Sequence, residues 1–250
     1  MTFKPNPRYE TLDTLRGAAI VWMTLFHFSF DLNHFGYFKA NFYGDPFWTW
    51  QRSVIVSLFL FCAGLSQAVA VQQGQSWPRF LRRWGQVALA AALVTVGSYA
   101  IYPQSFIYFG VLHGLALMLI VARLTARCEV WLWPMGAVAL CLPWAAPFLH
   151  AAWPGAEALN TPTLNWLGLI SRKPITEDYV PLLPWLGVLW WGVAAGAWVL
   201  KARPQWLARP VAPALRPLAL LGRWSLSYYL LHQPVLMGLL MGLTMWVNPA

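Results

Sequence analysis

The chain has 250 residues, of which 59% are hydrophobic, 10% are charged and 17 are tryptophan. Soluble domains carry about a quarter charged residues, so this composition excludes an ordinary soluble protein and indicates an integral membrane protein, whose indole rings favour the bilayer interfaces. The net charge of +9 comes from basic residues in short connections between apolar runs, a pattern that orients membrane proteins. We therefore expect no nucleic-acid partner.

Seven apolar segments reach the length of about 20 helical residues that crosses a bilayer. With the N-terminus inside, Lys and Arg number eleven in the inner connections and four in the outer ones. We predict an all-α, polytopic transmembrane helix bundle of about seven spans, N-inside/C-outside, as one domain over 1–250. The fifth span contains three prolines and is expected to be kinked. The predicted spans are 15–34, 53–71, 84–102, 106–124, 129–149, 182–200 and 224–247.

The first span carries a row of polar residues within "LDTLRGAAIVWMTLFHFSFDLNHF", residues 12–35. At about 100° per residue, all five fall in a stripe about 60° wide. Charged groups inside a bilayer usually face protein or a water-filled cavity, so the stripe is predicted to face the bundle and line a continuous cavity. The stripe consists of Asp13, Arg16, His27, Asp31 and His34.

Depth separates these residues, because His27 lies about 16 Å beyond Arg16 along a helix axis. That distance places His27 near the bilayer midplane, with Asp31 one turn further and His34 near the outer surface. An imidazole with a carboxylate four residues later is typical of a general base. The alternative is a structural polar network that holds helices together.

The last span begins "LGRWSLSYYLLHQPVL", residues 221–236. Ser225 and His232 are seven residues apart and share a helix face, with Tyr228 or Tyr229 beside them. Arg223 stands at the predicted cytoplasmic mouth. Polar groups therefore recur at membrane depth near both ends of the chain.

Two further segments place polar groups near the predicted outer surface. "FIYFGVLHGLALML" carries His113, which by itself is more often a hydrogen-bonded core residue, and "EDYVPLLPW" carries Asp178 and Tyr179. Small-xxx-small spacing, which lets helices pack closely, occurs twice in the later spans. The two glycine pairs are Gly192 with Gly196 and Gly238 with Gly242.

The motifs of the first and last spans support a resemblance to a known family. "LDTLRGAAIVWMTLFH" resembles the opening helix of the transmembrane acyltransferases that acylate sugars and cell-envelope polymers, and "GRWSLSYYLLHQPV" resembles their last-helix signature. With "HFSFDL", "FGVLHGLAL" and "DYVPLLPW", the chain resembles the bacterial branch of the heparan-α-glucosaminide N-acetyltransferase catalytic-domain family, from about residue 10 to 240.

This resemblance implies an acyl-CoA-dependent N- or O-acetyltransferase. The enzyme would move an acyl group, expected to be acetyl, from cytoplasmic acyl-CoA to an amine or hydroxyl on the extracytoplasmic side, in a sugar or envelope glycan. The expected partners are acetyl-CoA, that acceptor and the lipid bilayer of a bacterial inner (cytoplasmic) membrane. A homodimer is one oligomeric state to test. No metal is expected, because the three cysteines lack ligand spacing.

The resemblance also implies site roles. His27 would deprotonate the acceptor or form an acyl-histidine, and Asp31 would orient His27 or bind the acceptor. His34 competes for the catalytic role, because in lysosomal relatives the histidine credited with chemistry lies toward the lumenal end of this region. We expect acyl-CoA to be bound by Arg16, Arg223, Ser225 and His232, and the acceptor by His113, Asp178 and Tyr179.

Two other classes stay open from the sequence. A proton-coupled transporter or exporter would use His27, Asp31 and His113 as a proton relay. It is typically built from two corresponding halves with broken helices, which the sequence does not show. A non-catalytic membrane module would use the polar stripe to hold helices together. Binding of CoA distinguishes the enzyme from both.

Overall fold

The computed structural model describes residues 8–247, so the two ends of the predicted 1–250 domain lie outside the described residues. Within 8–247 the chain is helical and contains no strand, which confirms the all-α fold class. Short 3-10 segments and loops join the helices. The helices are α1 (Glu10–His34), α2 (Pro46–Gln72), α3 (Trp77–Ile101), α4 (Val111–Thr125), α5 (Leu132–Cys141), α6 (Ala146–Ala152), α7 (Leu182–Ala202), α8 (Pro204–Ala208), α9 (Arg216–Arg223) and α10 (Ser225–Val247).

Five helical stretches of the described chain are long and apolar enough to cross a membrane, so the protein is an integral membrane protein. The predicted count of seven is not confirmed. The α1 helix has 25 residues, but its polar residues keep it out of the apolar set. The fourth and fifth predicted spans lie in one stretch, Val111–Ala152, which is interrupted at Glu129, where φ is 42°. The five stretches are Pro46–Gln72, Trp77–Ile101, Val111–Ala152, Leu182–Ala202 and Ser225–Val247.

The described chain divides into two compact units, with one boundary inside α2 and the other inside α8. Within the described residues, the central unit comprises 60–204, and the terminal unit comprises 8–59 and 205–247. The terminal unit contains α1, α9 and α10, and the central unit contains α3 to α7. The single-domain organisation stays a prediction.

In the terminal unit, glycines let α1 and α9 approach at backbone distance. A Cβ added to Gly17 would collide with the carbonyl oxygen of Leu218, and one added to Gly222 would collide with the carbonyl oxygen of Asp13. Any side chain at either position would separate the two helices. The contact therefore places the end of α9 against the first turns of α1.

An aromatic cluster supports the C-terminal half of α1. The rings of Phe42 and Trp48 are stacked with centroids 4.1 Å apart, and Phe26 meets Phe42 edge-on at 5.7 Å. Phe42 is 3% exposed. Because Phe26 precedes His27, burial of this cluster orients the turn of α1 that carries the histidine.

In the central unit, glycines of α7 contact the second half of α2. A Cβ at Gly192 would overlap the carbonyl oxygen of Phe61, and one at Gly196 would lie 2.7 Å from Ala68 Cβ. The Gly192–Gly196 spacing thus marks a helix contact, as predicted. A Cβ at Gly238 or Gly242 would meet no atom of the described chain within 4 Å, so the same expectation is wrong for that pair within these residues.

Candidate active site

The terminal unit brings two predicted histidines together, one from α1 and one from α10. The ring centroids of His27 and His232 lie 5.1 Å apart, with the ring planes at 89°. Tyr228 stacks on His232 at 5.7 Å, and its hydroxyl forms a 2.9 Å hydrogen bond with the hydroxyl of Thr24. Residues 205 positions apart in sequence thus form one cluster.

A carboxylate and an amide complete this cluster. Asp31 is fully buried, and its Oδ1 accepts a 2.7 Å hydrogen bond from Nε2 of Gln233. Gln233 also lies beside His27. The second oxygen, Oδ2 of Asp31, has no hydrogen-bond partner within residues 8–247. We call His27, Asp31, His232 and Gln233 the histidine cluster.

The hydrogen bond of His232 determines its tautomer. Its Nδ1 lies 2.8 Å from the backbone carbonyl oxygen of Tyr229. A carbonyl only accepts, so Nδ1 carries the hydrogen, and in a neutral ring Nε2 then bears a lone pair. His232 is 8% exposed, and its Nε2 has no partner among the residues that the structure describes.

Three buried atoms of the cluster lack a hydrogen-bond partner within the described chain. They are Oδ2 of Asp31, Oε1 of Gln233 and Nε2 of His232. All three are acceptors, because Gln233 must direct its NH₂ group toward the Asp31 carboxylate. Buried polar groups are almost always hydrogen-bonded. Each of these atoms could therefore accept a hydrogen bond from a bound group.

The rest of the α1 stripe differs in burial along the helix. Asp13 is 2% exposed and forms ion pairs with Arg8 at 2.6 Å and with Arg16 at 2.7 Å. His27 is half-buried, whereas His34, the last residue of α1, is exposed. The structure thus joins Arg16 to Asp13 by an ion pair and places His27 and Asp31 in the histidine cluster.

A pocket of about 370 Å³ opens beside the first turns of α1 and α9. Arg223 lines it, as does Asp13 of the stripe, while Ser225 follows as the first, half-buried residue of α10. A continuous cavity along the whole stripe stays a prediction. The lining residues are Arg8, Glu10, Asp13, Arg216, Ala219, Leu220 and Arg223.

In the central unit, both ring nitrogens of His113 are occupied by protein groups. The backbone N–H of Gly110 donates to Nδ1 at 3.2 Å, so Nδ1 is bare and Nε2 carries the hydrogen. Nε2 donates to the hydroxyl of Thr95 at 2.9 Å, and that hydroxyl donates to the carbonyl of Ile107 at 2.8 Å. His113 therefore ties the start of α4 to α3.

Asp178 and Tyr179 also make contacts that hold the fold. Oδ2 of Asp178 accepts a 2.7 Å hydrogen bond from the backbone N–H of Val111, one of the unpaired donors at the start of α4. The Tyr179 hydroxyl donates to the carbonyl of Asn165 at 2.6 Å. Burial raises the pKa of the Tyr179 phenol, and neighbouring Tyr108 acts in the same direction. Their roles in acceptor binding stay predictions.

Sequence reasoning missed Gln233 and Asn165. Gln233 directly follows His232 in "LLHQPV", and a polar residue at membrane depth is itself a functional signal. Asn165 is 1% exposed and donates to the Tyr108 hydroxyl at 2.7 Å, but it lies in a loop without periodicity.

Within 8–247 no group of three or more His, Cys, Asp or Glu residues is arranged to hold a metal ion.

Membrane-length helices and a buried polar cluster together define a polytopic membrane protein with a candidate active site. The family model described as "Heparan-alpha-glucosaminide N-acetyltransferase, catalytic" matches residues 8–234, and the chain belongs to this family. The match confirms the resemblance and indicates a membrane acetyltransferase. Searches of curated proteins and of solved structures each found no match.

Proposed function

We propose that the protein transfers an acetyl group from cytoplasmic acyl-CoA to an amine on the extracytoplasmic side of a bacterial inner membrane. The observation that carries this proposal is the histidine cluster, in which two imidazoles, a buried carboxylate and an amide converge in a chain of this family. His27, Asp31 and His34 are the catalytic candidates. Burial and neighbours favour His27 over the exposed His34.

The three unpartnered acceptors favour an amine over a hydroxyl as acyl acceptor. A neutral primary amine offers two N–H donors and a protonated one offers three, whereas a hydroxyl offers one. Oδ2 of Asp31, Oε1 of Gln233 and Nε2 of His232 supply three acceptors. The family name, which specifies N-acetylation of a glucosaminide, agrees with this choice and makes an amino sugar the first acceptor to test.

The pocket beside α1 and α9 supports acyl-CoA as the donor. Three arginines line it, and the planar guanidinium group is well suited to phosphate oxygens. Arg16 forms an ion pair with Asp13 next to this pocket. It would therefore both fix the position of Asp13 and contact CoA. We assign the phosphates of CoA to the arginines Arg8, Arg216 and Arg223, with Ser225 nearby.

A topology of seven spans with the N-terminus inside fits the binding of CoA from the cytoplasm. The α1 helix would be a sixth span, with its polar stripe facing protein. The stretch Val111–Ala152 has 42 residues, about 63 Å of helix against a hydrocarbon core of about 30 Å, so it would cross twice with its break at Glu129. The arginine-lined pocket would then open to the cytoplasm.

Acetyl transfer by the purified protein in detergent tests the proposal. Labelled acetyl-CoA is offered with glucosamine or with N-acetylglucosamine, which keeps the hydroxyls but lacks the free amine. We expect label on glucosamine alone, together with release of CoA. Label on both sugars would show a hydroxyl acceptor. Absence of acetyl-CoA binding by calorimetry, with the protein shown to be folded, would favour the transporter, to be tested by proton flux in vesicles.

A further inference from the structure

The lone pair on Nε2 of His232 has no assigned use in the sequence-based view, which placed this residue with CoA. We propose that His232 is a catalytic residue whose Nε2 accepts the proton of the attacking amine. The inference rests on the proposed function, because it names the group that receives the proton in that reaction. It also separates two roles that the sequence analysis gave to His27, namely deprotonation of the acceptor and contact with the acyl group.

Two contacts hold the His232 ring in one orientation. The carbonyl of Tyr229 accepts the Nδ1 hydrogen at 2.8 Å, which leaves Nε2 bare. Tyr228 lies parallel to the ring, at an interplanar angle of 10°, and is itself bonded to Thr24 of α1. A ring nitrogen bonded to a backbone carbonyl fixes the tautomer, as it does for metal-binding and catalytic histidines.

The surroundings of Nε2 fit a proton acceptor better than a phosphate ligand. A bare imidazole nitrogen is a hydrogen-bond acceptor and cannot donate to a phosphate oxygen. The other unpartnered atoms of the histidine cluster within the described residues, Oδ2 of Asp31 and Oε1 of Gln233, are also acceptors. A cluster of acceptors disfavours an anion and favours an amine, whose N–H groups donate.

The reaction balances with His232 as the base. The amine nitrogen attacks the thioester carbonyl carbon, and one N–H proton passes to Nε2 of His232 as the new N–C bond forms. The C–S bond then breaks, and its electron pair leaves on the sulfur of CoA. That thiolate recovers the proton from Nε2, so the products are an amide and CoA thiol, and His232 is neutral again. In this scheme His27, whose ring lies 5.1 Å from that of His232, would contact the acyl group.

Two variants test His232 in the full-length protein with acetyl-CoA and glucosamine. His232→Asn retains a donor for the Tyr229 carbonyl but deletes the base, and His232→Ala opens space for added imidazole. We expect kcat to fall by about 10²–10⁴-fold in both. The Kd of acetyl-CoA should stay within about twofold of wild type, because the proposal does not assign His232 to the donor. A tenfold rise in Kd would correspond to about 1.4 kcal/mol of lost binding. Imidazole should restore transfer in His232→Ala.

The matched control is His150→Ala. His150 also bonds a backbone carbonyl through one ring nitrogen, that of Leu169 at 3.1 Å, but it belongs to the central unit. The His150→Ala variant should retain wild-type turnover. Unchanged kcat in His232→Asn, weakened acetyl-CoA binding, or loss of transfer without imidazole rescue would each overturn the assignment. Wild-type protein that binds acetyl-CoA but acetylates no amine would instead overturn the proposed function, and the role of His232 with it.

Discussion

His113 and His232 are both helical histidines of this chain, yet their hydrogen bonds differ. Protein groups engage both ring nitrogens of His113, through Gly110 and Thr95. His232 has one nitrogen bound to a backbone carbonyl, and its other nitrogen, buried, has no partner within the described residues. The first arrangement uses the imidazole to connect backbone segments, whereas the second leaves a lone pair available for chemistry.

This difference shows why a histidine at membrane depth is ambiguous in a sequence. Both residues lie in apolar helices, and both satisfy the rule that intramembrane ionisable residues mark function. In both histidines one ring nitrogen bonds a backbone group three residues earlier. The difference lies at the other ring nitrogen, which in His113 meets Thr95 of a neighbouring helix and in His232 has no partner within the described residues. Substitutions at the histidines therefore test whether the two arrangements serve different functions.

His27→Ala should have the largest effect on transfer. Removing the imidazole beside His232 should lower kcat by about 10²–10⁴-fold while the protein still inserts and folds. The measurement is acetyl transfer to glucosamine in detergent, with His150→Ala as the control for loss of a histidine. Retained activity in His27→Ala would move the chemistry to His34, and His34→Ala would then be the inactive variant.

Arg16→Ala should have an intermediate effect, on acetyl-CoA affinity. The substitution removes one of two arginines paired with the buried Asp13, so it should disturb the edge of the arginine-lined pocket. We expect Kd to rise by about tenfold, equivalent to about 1.4 kcal/mol, as measured by calorimetry. Arg209→Ala, an exposed arginine outside the pocket lining, is the control. Equal effects of the two substitutions would place Arg16 away from the donor site.

His113→Leu should have the smallest effect on turnover and should act on stability. The substitution leaves the Gly110 N–H without its acceptor and removes the partner of Thr95, which should cost about 1–3 kcal/mol. Thermal unfolding in detergent should show a lower Tm, with kcat within about twofold of wild type. A raised KM for the amine at unchanged Tm would instead support the acceptor-binding role that the sequence suggested.

The amino-acid sequence was sufficient for the class of fold and the family, whereas the roles of the candidate residues stay predictions. Apolar runs of membrane length predict helices, and the α1 stripe predicts that Asp31 and His27 face protein. The count of seven spans stays a prediction, because α1 falls outside the apolar set and Val111–Ala152 is one interrupted stretch. The glycine pair Gly238 and Gly242 has the spacing of a helix contact, yet no described residue packs against either glycine. Spacing alone therefore does not predict that another helix lies alongside.

What the sequence determined by itself follows from local chemistry: hydropathy over about 20 residues selects membrane helices, and helical periodicity assigns faces. Three contacts are seen only in the folded chain: His232 with His27, Gln233 with Asp31, and His113 with Thr95. A hydrogen bond depends on a few tenths of an ångström and on the direction of a lone pair. Those quantities are set by helix packing between residues up to 205 positions apart, which no local pattern encodes.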